Sequence, residues 1–157
     1  MIRKDRQTTH VGHIGGEQWS GAIVRFKGHD ILFVAVYLQD SVGWGGRNGG
    51  VLRDIESTCR AMRIGFVIGG DWNMTPEELN EEGWVEHLGG VCKTPPVGAT
   101  CSSGKGRMLD YAVCSKSLEE RIELEIDWDG PWAPHRGVFL NVKGGGVCTT
   151  CPQDGRA

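Results

Sequence analysis

Phe66-Val67-Ile68-Gly69-Gly70-Asp71-Trp72-Asn73 is an apolar, β-rich run that ends abruptly in two glycines, an acid and an amide. Such a run reads as a buried strand, and the glycines let the backbone turn sharply at its end. Asp71 and Asn73 then stand at the C-terminal edge of that strand. Aspartate is depleted in strands and costly to bury unpaired, so its place at the end of a core strand needs a reason. Two reasons compete. Asp and Asn are both good turn formers and can cap the turn; alternatively, their oxygens face a ligand instead of the core.

The flanking sequence makes this strand one of several. Upstream, residues 21–27 and 31–38 read as two strands joined by a tight hairpin at Gly28-His29-Asp30, with Tyr37 near the end of the second. Residues 41–50 are rich in glycine but contain neither GxxxxGK[ST] nor GxGxxG, so they are read as a flexible connector and not as a phosphate loop. Val51, Leu52, Ile55, Cys59 and Met62 share one face at helical spacing, which predicts a helix over 51–63 packed on a sheet. Downstream, Thr75 as N-cap, Pro76 at the first helical position and Glu78 closing a capping box predict a short helix that Gly83 ends.

Residues 89–106, rich in Gly, Pro, Ser and Thr, predict a long surface loop. A strand over 108–114 carries an embedded acid, Asp110. The period of two in Ile122, Leu124 and Ile126 predicts another strand, and residues 138–143 a last one. Just before it lies Trp132-Ala133-Pro134-His135-Arg136-Gly137. The polar, glycine-punctuated residues 1–18 are expected to be poorly ordered.

With 157 residues the chain is long enough for one core, placed over residues 19–142, and residues 143–157 read as a flexible Gly/Cys tail. A hydrophobic fraction of 39% and a charged fraction of 24% fit a soluble globular protein. The net charge of −3 gives no global basic field, so a nucleic-acid partner would have to meet a local patch. The longest apolar stretch, residues 31–38, is strand-sized, which argues against a membrane span. A charged N-terminus without an apolar h-region points to an intracellular protein of the cytoplasm or nucleus. Of six cysteines, four are scattered singly and read as reduced thiols. Cys148 and Cys151 alone have ligand spacing; a structural zinc site needs four ligands, so an incidental pair in a loose tail competes with a small zinc module.

Tyr37, the Asp71/Asn73 pair, Asp110 and His135 thus stand at strand ends or strand-adjacent loops. Each has an ordinary explanation when taken singly: a core tyrosine, a turn cap, an acid paired with Arg107, a loop histidine. Together they follow an ordered pattern. Val36-Tyr37-Leu38, Gly70-Asp71-Trp72-Asn73, Arg107-Met108-Leu109-Asp110-Tyr111 and Pro134-His135 resemble, in order and spacing, the endonuclease/exonuclease/phosphatase family. That family includes apurinic-site endonucleases, DNase I, inositol phosphatases and retrotransposon endonucleases. The match covers about residues 19 to 142.

The resemblance implies an α+β fold, a partial four-layer α/β/β/α sandwich of mixed, mostly antiparallel sheets. It also implies a metal-dependent phosphoester hydrolase, nuclease-like and of possible retroelement origin, using Mg²⁺ or Mn²⁺ on nucleic acid or another phosphoester. On that pattern His135 polarises or deprotonates the attacking water or holds the phosphate, and Asp110 orients the imidazole. Asp71 aligns the nucleophile, Asn73 donates to a phosphate oxygen, and Tyr37 binds the phosphate or assists the leaving group. Arg47, Lys105 and Arg107 are the candidate substrate contacts, against a reading as solvated surface charge. Trp44 either stacks on a base or packs.

The chain departs from the pattern in two places. The strand with the family's catalytic Asn, and the strand ending in its metal-binding Glu, have no counterpart before Gly21, so the resemblance is to an N-terminally truncated form and the metal ligand is unknown. Glu17 is not accepted as that Glu, because it abuts the hairpin with no apolar strand before it. Secondly, Pro134 stands where the family has an Asp before its histidine, and proline supplies no carboxylate. These departures set a non-catalytic binding module of the same fold against the hydrolase, and call for another segment, domain or chain to complete the sandwich.

Overall fold

The computed structural model describes residues 8–144, and for residues 8–13 the backbone alone; Cys148 and Cys151 lie outside the described residues. Six strands form one sheet: β1 (Thr8–Gly16), β2 (Trp19–Phe26), β3 (His29–Tyr37), β4 (Gly65–Asp71), β5 (Gly90–Lys93) and β6 (Asp110–Ser115), in the order β1-β2-β3-β4-β6-β5. β7 (Ile122–Asp127) and β8 (Gly137–Val142) pair as a second sheet. The β3–β4 pairing is parallel and the others are antiparallel. A parallel pair needs a crossover, and α1 (Gly46–Met62) supplies it between β3 and β4. The short α2 (Pro76–Glu81) and α3 (Trp84–His87) follow β4.

Side chains alternate across a strand, so β3 and β4 feed two cores. Leu32, Val34, Val36 and Ile68 pack against Val51, Leu52 and Ile55 of α1. On the opposite face, Ile31, Val67, Ala112 and Cys114 pack against Ile122 and Leu124 of β7. Burial on both faces is why Phe66-Val67-Ile68 reads as unbroken hydrophobicity and not as alternation. Trp72 is fully buried, stacks on Tyr111 at 5.3 Å between ring centroids, and donates its Nε1–H to the Tyr111 carbonyl at 2.9 Å. The chain just beyond β4 is therefore clamped from below. The β2–β3 turn has Lys27 at φ 48° and Gly28 at φ 82°, the doubly left-handed geometry that matches the twist of a two-residue hairpin. Thr75, Pro76 and Glu78 form the expected capping box.

Three elements differ from the sequence reading. Residues 8–16, expected to be poorly ordered, form β1, an edge strand with a register shift between His10 and Gly12. An edge strand needs backbone pairing on one side only, so it leaves little apolar pattern to read. Helix α1 begins at Gly46, five residues before the apolar periodicity, inside the supposed connector. The fully buried Asn48 explains this: its amide donates to the carbonyls of Gln39 (2.9 Å) and Gly43 (2.7 Å) and accepts from the Gln39 N–H (2.7 Å). Tertiary anchoring there overrides the low helix propensity of Gly and Asn. The supposed loop 89–106 contains β5, held by pairing with β6. The four scattered cysteines are free thiols, as read. Among the described residues no helix is long and apolar enough to cross a membrane.

Candidate active site

The strand register builds the site. Tyr37 is the parallel partner of Asp71, and Asp71 is the antiparallel partner of Asp110, so the three stand in one row across adjacent strands. One step back on the same face, the row is Ala35, Gly69 and Ala112. These small residues leave a hollow under the acids. A cavity of about 410 Å³ opens there between the two sheets, lined by Gly69, Asp71, Asp110, Leu124, Trp132 and His135.

The segment between β7 and β8 brings His135 over this row. Its Nδ1 lies 2.9 Å from Asp110 Oδ2, and its Nε2 lies 3.9 Å from Asp71 Oδ2. The first distance is a hydrogen bond. The second is too long for one and suits an oxygen held by both groups. Asp71 does cap its turn. Its Oδ1 accepts the Asn73 N–H at 3.2 Å, capping the turn, while its Oδ2 faces His135.

Burial opposes the charged form of His135, but the Asp110 hydrogen bond and charge, joined by the Asp71 charge, outweigh it and raise the pKa above the usual histidine value. Asp71 is raised above the usual carboxylate range. Burial is the main cause and the Asp110 charge adds to it, against the opposing pull of the Asn73 N–H and His135. A carboxyl that holds its proton more tightly when folded favours folding in acid, and that advantage is lost as pH rises through its folded pKa. Asp71→Asn keeps an oxygen for the turn, so it is expected to raise the melting temperature at neutral pH by a few degrees. The gain vanishes in acid, where the Asp71 carboxyl is neutral in the folded and the unfolded chain alike. Thermal denaturation at the two pH values, with chelator present, checks this.

Thr100, fully buried, ties the arrangement together. Its Oγ1 accepts the N–H groups of Leu109 (2.9 Å) and Asp110 (2.8 Å), and its carbonyl accepts the Arg136 N–H (2.8 Å), next to His135. Thr100→Val keeps the shape and strands both N–H groups. Leaving a buried donor unpaired costs about 1–3 kcal/mol, which urea denaturation should show as a lower midpoint with an unchanged slope. Nothing in the sequence marks Thr100 among the other small polar residues of its loop.

No protein-family model matches the chain, and no curated protein sequence matches it. Solved structures do. The endonuclease domain of TRAS1, a telomere-specific non-LTR retrotransposon, superposes with a TM-score of 0.67 at 18% identity, covering 84% of this chain and 67% of that one. The 3′ phosphatase NExo from Neisseria, bound to a product DNA hairpin, gives 0.64 at 13% identity, over 87% of this chain and 72% of that one. An endonuclease/exonuclease/phosphatase family protein from Leptotrichia buccalis gives 0.57 at 13% identity, over 80% and 53%. This chain has the endonuclease/exonuclease/phosphatase fold. It spans about half to three quarters of the length of these three structures.

Within that fold the remaining candidates separate. Asn73, at φ 48°, donates its amide N–H to the Leu38 carbonyl at 2.7 Å, tying the ends of β3 and β4 together. Tyr37 is half exposed at the end of the row. Asp110 is not paired with Arg107, whose guanidinium bonds Glu78 at 2.6 Å. Arg47 lies on α1, not on a loop, and lines a separate hollow with Glu17, Gln18 and Asp54 that shares no lining residue with the cavity under the acids. Glu17 does have a strand before it, but it sits in that second hollow. Lys105 is exposed on the loop that carries Thr100. Trp44 packs edge-on against Trp84 at 6.5 Å, which is the packing reading.

Two of three candidate metal donors, Asp71 and Asp110, are carboxylates of the kind a hard divalent cation takes; the third, the His135 imidazole, is not. One ligand atom each from Asp71, Asp110 and His135 lies within 4.8 Å of the others. Mg²⁺ is commonly held by one or two carboxylates, with waters and phosphate oxygens completing its shell.

Proposed function

We propose that the chain is a metal-dependent phosphoester hydrolase, nuclease-like in its chemistry. The observation that carries this is the 3.9 Å gap between His135 Nε2 and Asp71 Oδ2, directly above a cavity and beside a second carboxylate that holds the imidazole. A water seated beside that gap, off the line between the two atoms, can hydrogen-bond both groups. Hydrolysis needs an oriented water, neutralisation of phosphoryl charge, and help for the leaving oxygen. His135 polarises the water or, protonated, holds the phosphate; Asp110 fixes its orientation through Nδ1 and stabilises its charged form. Asp71 aligns the nucleophile. Asn73 has one amide N–H left for a phosphate oxygen after bonding Leu38. Tyr37, which pairs with Asp71 across the strands, would bind the phosphate or assist the leaving group.

Asp71 would be the principal holder of Mg²⁺ or Mn²⁺, since Asp110 is committed to His135. A bound ion supplies positive charge against the phosphoryl oxygens. The same reading includes a further strand, from this chain or a partner, along the edge of β8 that pairs with none of the described strands.

Hydrolysis of plasmid DNA and of bis(p-nitrophenyl) phosphate with added Mg²⁺ or Mn²⁺ tests the proposal. Turnover should fall about a hundredfold or more in Asp71→Ala and in His135→Ala. A non-catalytic binding module is the second reading, favoured by Pro134, whose carbonyl only accepts bonds from the Ser102 N–H and hydroxyl. Turnover absent with every divalent cation would leave that reading standing.

A further inference from the structure

Two of the exposed large hydrophobic residues, Trp128 and Trp132, lie on the segment that delivers His135. Trp132 is 54% exposed yet lines the cavity with Asp71, Asp110 and His135. Its ring is seated on two glycines. A Cβ at Gly130 would overlap the ring, and one at Gly137 would come within 2.5 Å of it. Neither glycine has a left-handed φ, so what the position needs is room and not conformational freedom. The backbone therefore holds one side of the ring while more than half of the residue stays open. Trp128, 66% exposed, carries the Arg136 guanidinium 4.5 Å from its ring centroid. This stacked pair places a cation beside His135 in the chain.

We propose that Trp132, seated on Gly130 and Gly137 and flanked by the Trp128–Arg136 pair, is a base-stacking platform that selects an unpaired nucleic-acid strand. The inference rests on the hydrolase reading for the purpose of the platform, and on the seating of Trp132 for its existence. A flat aromatic face beside a phosphate-handling row suits a base attached to the scissile phosphate, and stacking tolerates any base because each has a π-face. Charge argues against duplex as the preferred form. Duplex binding draws most of its strength from many phosphate contacts. Here the net charge is −3, Arg107 is tied to Glu78, Arg25 to Asp30 and Arg60 to Glu56, and Arg47 faces another hollow. Among the residues lining the cavity Arg136 is the one arginine or lysine, so the site itself offers few phosphate contacts. A base inside a duplex cannot reach the ring; an unpaired one can.

The test is fluorescence anisotropy of labelled short single-stranded DNA, the matching RNA and the blunt duplex, with chelator so that nothing is cleaved. The expected result is tighter binding of a single strand than of duplex, weakened less than about tenfold between roughly 50 and 200 mM salt. Trp132→Ala should weaken it about tenfold, and Trp132→Phe should restore most of the loss. Gly130→Ala, which displaces the ring without removing it, should mimic Trp132→Ala while circular dichroism stays native. The DNA and RNA arms identify the strand. Duplex binding as tight as single-strand binding, or an unaffected Trp132→Ala, overturns the platform. So does failure to bind any oligonucleotide, as when the aromatic face serves a protein partner. If bis(p-nitrophenyl) phosphate is still hydrolysed in that case, the hydrolase reading survives. Platform binding without any hydrolysis overturns the hydrolase reading alone.

Discussion

Gly70→Ala is expected to abolish the folded state or lower the melting temperature by more than about 10 °C, while Gly69→Ala, one residue earlier, leaves stability within about 1 kcal/mol. The two glycines look equivalent in the sequence. Gly70 has φ 157°, and a Cβ there would overlap the Val36 carbonyl oxygen and lie 2.8 Å from its carbon. Those atoms belong to the backbone of β3, hydrogen-bonded into the sheet, and cannot swing aside. The clash must be relieved by moving β3 from β4 or by straining Gly70, and overpacking and backbone strain each cost about 1–3 kcal/mol. Against a total stability of about 5–15 kcal/mol that is a large part of the whole. At Gly69 the nearest atom to an added Cβ is the Tyr111 carbonyl oxygen at 3.9 Å, an ordinary contact. The methyl there would enter the hollow beneath Asp71. Thermal and urea denaturation of the two variants side by side checks the contrast. Equal stabilities would mean that β3 and β4 are not packed as closely at this point as the structure has them.

That contrast marks where sequence reading stops. The strand ending at Asp71 was legible because burial on both faces leaves an unbroken apolar run, and the Thr75–Glu78 capping box because its chemistry is local. The ordered pattern of Tyr37, Asp71, Asp110 and His135 was legible through resemblance. What no linear reading supplies is register: Tyr37, Asp71 and Asp110 become neighbours only because β3, β4 and β6 pair with those residues opposite each other. Arg107 shows the same limit from the other side. Its proximity in sequence suggested Asp110 as partner, but the chain carries its guanidinium to Glu78 on α2. β1 escaped notice because an edge strand of glycines and polar residues has no apolar period. Asn48 did so because a buried amide that anchors a helix start looks, in sequence, like one more polar residue in a glycine loop. Trp132 was visible, but not its seat, since Gly130 and Gly137 matter only for the space they leave.

Asp110→Asn is expected to reduce hydrolysis about 10²- to 10⁴-fold and to shift the titration of His135 to lower pH. Asn has nearly the shape of Asp, so the fold should persist and the loss should be electrostatic. In the native protein burial alone would disfavour the imidazolium; the hydrogen bond and charge of Asp110, with the Asp71 charge, reverse that balance. Removing the Asp110 charge leaves the more distant Asp71 against burial, and the pKa falls. The sign of the stability effect follows. A histidine whose folded pKa lies above its unfolded value stabilises the fold fully below the unfolded pKa, and loses that contribution as pH rises through the folded pKa. Asp110→Asn should therefore lower the melting temperature most below the ordinary histidine value and least above the raised one. The two variants of this site then diverge: Asp71→Asn stabilises at neutral pH, Asp110→Asn destabilises in mild acid, and both suppress turnover. Proton NMR of the His135 ring, followed across pH in native and Asp110→Asn protein, reads the shift directly. An unmoved His135 titration would mean that the 2.9 Å contact does not hold the imidazole in solution. The assignment of Asp110 as its positioning partner would then have to be given up, whatever the activity assay returned.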